Sequence, residues 1–92
     1  LYLVDYQNHL VRQMSLGNEL VNVTNIAGIP QRSGAVGENI TATNAELDSP
    51  QDVAVVDNFV FICDSGNSAV RKVDVKSGII TTVAGTLGVS DF

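Results

Sequence analysis

The chain has 92 residues, five basic and ten acidic, with a net charge of −5; it is 45% hydrophobic and 16% charged. That length allows one small domain, burying roughly 60–65% of its unfolded surface, and the apolar content excludes a disordered tail. Five scattered cations are too few for a nucleic-acid groove or an anionic membrane surface, and the longest apolar run, Phe59 to Cys63, is far too short to span a bilayer. In chain order, Leu1 to Asp5 reads as a strand and Tyr6 to His9 as a polar turn. Leu10 to Leu16 is a second strand, turned by Gly17-Asn18, and Leu20 to Ala27 a third. A long link runs from Ile29 to Ser49. Beyond it, Asp52 to Val56, Phe59 to Cys63, Ala69 to Val75 and Ile79 to Ala84 read as four strands. Their turns are Asp57-Asn58, Ser65 to Ser68 and Lys76-Ser77-Gly78. β-Branched residues dominate and no helical period competes, so the fold class is all-β with antiparallel meanders.

The pattern repeats. A shift of 59 residues places Asp5 on Asp64, Asn8 on Asn67, Val11 on Val70 and Arg12 on Arg71. A shift of 57 places Thr24, Ala27 and Gly28 on Thr81, Ala84 and Gly85. The change of offset puts a two-residue insertion near Gly17 to Leu20. Each copy is therefore an apolar strand, Asp-x-x-Asn-x-x-Val-Arg, a turn, then Thr-x-apolar-Ala-Gly. Val53 to Val56 is apolar on both faces and is expected to be covered on both sides, whereas Ala69 to Val75 is mixed. A gradient from apolar inner strand to polar outer strand is that of a propeller blade.

The stretches Leu47 to Val55, Phe61 to Asp74 and Gly78 to Gly85 resemble the NHL repeat, and the first copy contains Asn8-His9-Leu10. The link rich in small residues resembles the interblade loop of the long-period NHL subtype. The resemblance implies a β-propeller, often six-bladed, used mostly as a rigid binding platform. It divides the chain into an incomplete blade at 1–28 holding strands two to four, an interblade loop at 29–49, a complete four-stranded blade at 50–85, and the start of another loop at 86–92. Two such copies cannot close a ring, and the sequence has neither an initiator Met nor a visible signal peptide. The expectation is a section of a larger propeller, or a protomer of an assembly that completes it. Its partners would then be other blades, in the same chain or another copy.

The candidate residues follow from the repeat. Asp5 and Asp64 each stand seven residues before Arg12 and Arg71 across a short turn, a spacing that lets carboxylate and guanidinium meet. Asn8 and Asn67 occupy those turns and suit left-handed backbone. Recurrence favours a structural role for all six, since a catalytic site is usually unique. His9, the single histidine, is expected in an exposed turn, a poor start for a metal site. Cys63 cannot form an internal disulfide, so the compartment is not readable from cysteines. It aligns with Val4 and is expected in the core. Asp52 opens the innermost strand and is the weak candidate for a cation or polar-ligand contact. Tyr6, opposite Ser65, is either a rim contact or plain surface. Asn22-Val23-Thr24 and Asn39-Ile40-Thr41 are glycosylation sequons, which point to an extracellular or cell-surface setting.

Function is expected to be non-catalytic: a binding or structural propeller module of a surface glycoprotein, with a protein partner, no cofactor and no nucleic acid. The long link is the expected partner-facing element. The alternative is a section of a propeller enzyme, akin to the amidating lyases or lactonases, with its catalytic residues in other blades.

Overall fold

A computed structural model describes residues 1–17 and 20–85. The expected loop at 86–92 lies outside the described residues, as does Asn18 of the first Gly-Asn turn. Eight strands form: β1 (Tyr2–Asp5), β2 (Leu10–Leu16), β3 (Val21–Ala27), β4 (Ile40–Thr41), β5 (Pro50–Val56), β6 (Phe59–Asp64), β7 (Ala69–Asp74) and β8 (Ile79–Ala84). Single 3-10 turns occupy Ala42–Asn44 and Ser65–Asn67, and the described residues contain no α-helix. One sheet has the order β1-β2-β3 and the other β4-β8-β7-β6-β5, with every neighbouring pair antiparallel. The fold is all-β, built from two antiparallel sheets.

The second sheet differs from the expected four strands. Ile40 and Thr41, from the link, pair with Ile80 and Ile79 and add a short fifth strand outside β8. The link is not a free loop. Its Ala42, Ala45 and Leu47 are buried with Val11 and Ala27 of the first sheet and Val60, Ile62, Val73 and Ile80 of the second. Small residues there let the link wedge between two sheets while its backbone finds partners: Gly28 N–H donates to Ala42 O at 3.0 Å and Ala42 N–H to Gly78 O at 2.7 Å. The link is therefore anchored in the core while also carrying exposed residues, such as Gln31, Arg32 and Asn39.

Strand β5 also departs from expectation. It is the edge of its sheet, with β1 packed across from it. Val53 reaches the core, yet Val55 and Val56 are 49% and 55% exposed. Being apolar on both faces signals a strand made to be covered; within this chain one flank of it has no cover among the described residues.

The two copies match in detail. The ladder slips at Val11/Arg12 between β2 and β3, and again at Val70/Arg71 between β7 and β8. His9 and Ser68, equivalent by the 59-residue shift, both have left-handed backbone, with φ of 59° and 52°. Gly28 and Gly85 have φ of 94° and 82°, and a Cβ on either would collide with the carbonyl oxygen of His9 or Ser68.

Candidate functional site

The feature that both copies build is an Asp-Asn-Arg cluster at the strand-turn-strand corner. In the second copy, β6 ends on Asp64, the 3-10 turn carries Asn67, and β7 carries Arg71 two residues into the strand. Asn67 Nδ2 donates to Asp64 Oδ2 at 2.9 Å, and Arg71 Nη1 lies 3.5 Å from the same oxygen. Both side chains of the ion pair are fully buried. The cluster is completed by the link, through backbone groups only. Asp48 N–H donates to Asp64 Oδ1 at 2.7 Å, Asn67 Nδ2 donates to Gly34 O at 2.7 Å, and the Arg71 guanidinium donates to Gly37 O. Arg71 Nε is buried without a partner among the described residues.

Burial raises the Asp64 carboxyl above its ordinary value of 3.8, opposed by the hydrogen bonds from Asn67 and Asp48 N–H and by the charge of Arg71. A neutral substitute for either partner would leave the other charge buried, so the pair stands or falls together. Gly66 lets the link come this close: a Cβ there would strike the Asp48 side chain and carbonyl.

The first copy repeats the inner geometry. Asn8 Nδ2 donates to Asp5 Oδ2 at 2.9 Å, and Arg12 Nη2 lies 3.3 Å from that oxygen. Here the side chains are 29% and 35% exposed for Asp5 and Arg12. Val4 pairs with Val11, which faces the core, so by strand alternation Asp5 and Arg12 lie on the opposite face of the sheet. The clusters therefore differ in what covers them.

His9 is not in an exposed turn. It is half-buried, and its Nδ1 accepts the backbone N–H of Ser49 at 2.9 Å, linking the first corner to the entry of β5. Asn8 O accepts Gln31 N–H at 3.0 Å beside it. The αL backbone at both His9 and Ser49 brings these groups face to face. Cys63 is likewise not in the core; it is exposed, because β6 alternates and turns Val60, Ile62 and Asp64 inward. Its alignment with Val4 is correct, but that face of the second sheet has no sheet against it among the described residues.

Asp52 is exposed at the start of β5, and its Oδ1 accepts Val53 N–H at 2.8 Å. Among the described residues no group of three or more His, Cys, Asp or Glu side chains converges as metal ligands. Asn22 lies exposed in β3 and Asn39 exposed in the link with φ of 60°. Tyr6 is half exposed in the first turn. Sequence reasoning missed Glu46, which is buried and accepts from Arg32 Nε at 2.8 Å and Val36 N–H at 3.2 Å. The available signal was the apolar spacing of Ala42, Ala45 and Leu47 around it. No helix of the described residues is long and apolar enough to cross a membrane.

Comparison with known proteins gives one consistent answer. The family model of the NHL repeat matches residues 47–73. Over 43 residues, 47% of this chain, the sequence is 42% identical to NHL repeat-containing protein 2 of Gallus gallus and 35% identical to the proteins of that name from Bos taurus and Homo sapiens. The matched stretch covers 6% of the length of each relative. The matched repeat contains the buried Asp64–Asn67–Arg71 cluster and the last three residues of the link.

Proposed function

Because the chain carries an NHL repeat at residues 47–73 within paired antiparallel blades, we propose that it is a non-catalytic sector of a larger propeller, working as a rigid interaction platform. NHL repeats in general serve protein–protein contacts. One observation carries the reading. Tyr2 and Val11 of the first sheet pack into the core against the second sheet. Their equivalents, Phe61 and Val70, line an open groove with Ala54 and Cys63 on the far face of the second sheet. The same surface chemistry that is an internal interface in one copy is outward-facing in the other, and a further blade is the occupant it suits.

The cations support a protein partner over a nucleic acid. Arg12, Arg32 and Arg71 are in ion pairs, and the Lys72 ammonium lies 5.0 Å from the centre of the Phe59 ring. Little positive charge is left to neutralise phosphates. A secreted or cell-surface setting is part of the proposal; the exposure of Asn22 and Asn39, both in sequons, supports it.

Thiol chemistry tests the platform. Cys63 should react rapidly with a thiol reagent in the isolated 92-residue chain, at concentrations too low for self-association, and be protected in the natural protein. Equal reactivity in both would overturn the reading. A mass shift on glycosidase treatment of natural material tests the secreted setting, and its absence removes that part.

A further inference from the structure

We infer that the Asp5–Asn8–Arg12 cluster is a docking socket for a polypeptide backbone, and that its occupant is a glycine-bearing link of the same kind as residues 29–49. The inference rests on the reading that blades continue beyond the first sheet. The second copy shows what such a cluster binds. Asp64, Asn67 and Arg71 engage one N–H and two carbonyls of a single link: those of Asp48, Gly34 and Gly37. Every one is a main-chain group, so the cluster reads backbone shape rather than side-chain identity. Glycine is needed where the link turns inward: a Cβ on Gly34 would strike Glu46, and one on Gly37, where φ is 126°, would strike Ala45.

The first cluster presents the same three groups. Asp5 Oδ2 already takes Asn8 and Arg12, as Asp64 Oδ2 takes Asn67 and Arg71. About a third of the Asp5 and Arg12 side chains is exposed, so the cluster is open to a further segment. Arg12 Nε is buried and unpartnered, as Arg71 Nε is. The side chains are already held in the binding geometry, so an incoming segment does not have to order them. Charge narrows the occupant further. Aspartate beside arginine repels an anion from one side and a cation from the other, whereas a neutral backbone offers both the donor and the acceptors that the pair requires.

The test adds the occupant in one polypeptide. Residue 60 is equivalent to residue 1, so a second copy of residues 29–59 joined directly before Leu1 places a link and an inner strand in register with the socket. Arg12→Ala should then lower the melting temperature about threefold more in the extended chain than in the 92-residue chain, as expected when a rim-exposed pair becomes a buried one. Exchange of the Arg12 guanidinium protons, followed by NMR, should slow about tenfold or more on extension, and replacing the added copies of Gly34 and Gly37 by valine should reverse that slowing. An Arg12→Ala cost that is the same in both chains, or Arg12 protons whose exchange extension leaves unchanged, would overturn the socket. Failure here with Cys63 still protected in the natural protein removes only the socket; equal Cys63 reactivity removes the wider reading.

Discussion

Replacing Arg71 by alanine separates the two clusters most sharply. Arg71 and Asp64 are both fully buried, and Arg71 also holds the link through Gly37 O. Its removal leaves the Asp64 carboxylate in the interior with only Asn67 and Asp48 N–H as partners. Breaking a buried pair in this way costs about 3–5 kcal/mol. Stability at 0.05–0.15 kcal/mol per residue gives about 5–14 kcal/mol for this chain, so the loss is a large fraction of the whole. At about 4–8 °C per kcal/mol, the melting temperature should fall by at least about 12 °C. The equivalent change Arg12→Ala breaks a pair with about a third of each side chain exposed, and should cost under about 1 kcal/mol. The assay is thermal unfolding by circular dichroism at one fixed protein concentration. If Arg71→Ala does not fold, the double variant Asp64→Asn with Arg71→Met should restore folding, since it removes both buried charges together. Equal losses for Arg12→Ala and Arg71→Ala, or an unchanged melting temperature for Arg71→Ala, would refute the reasoning.

Three further outcomes are expected. Gly28→Ala should destabilise by well over about 1 kcal/mol, because the strained φ of 94° is joined by a clash with His9 O; Gly78→Ala, at φ 77° with open space around it, should cost only the backbone strain, and equal losses in denaturant unfolding would contradict this. His9→Ala should cost about 1–3 kcal/mol by stranding the Ser49 N–H, whereas His9→Asn keeps an acceptor and tolerates the αL backbone; urea unfolding that ranks the two variants equally would argue against the link. Asp64 sets a pH trend. Its folded value is raised above 3.8, so between 3.8 and that value the folded chain holds the proton more tightly than the unfolded one. This carboxyl's contribution to stability therefore falls as pH rises through that window. Wild type should lose stability relative to Asp64→Asn over the same window, and a gain would contradict the assignment.

Much of the fold is legible in the sequence because it is local. Strand and turn positions follow from β-branched runs and from Asp, Asn and Gly at corners, and the repeat ties Asp5 to Asp64 and Arg12 to Arg71. The seven-residue spacing brings each Asp and Arg together across the hairpin, but spacing cannot say which pair is buried. That depends on what lies across the sheet, which covers Arg71 and leaves Arg12 partly exposed. Cys63 shows the same limit: its strand position is readable, while its exposure depends on a neighbouring surface. The link was hardest to read. Its Gly, Ser and Asn content resembles a solvated loop, yet Ala42, Ala45 and Leu47 fill the space between the sheets, and Gly34 and Gly37 supply carbonyls to a cluster more than thirty residues away. His9 gave no signal, because its partner is a backbone amide forty residues on.

The central claim is that these two sheets are a sector whose outer faces are interfaces. Sedimentation velocity of the isolated 92-residue chain, with thermal unfolding followed across a hundredfold range of concentration, tests it most directly. The account predicts self-association and a melting temperature that rises with concentration. A monomer at every concentration, unfolding cooperatively at one fixed temperature, would contradict it.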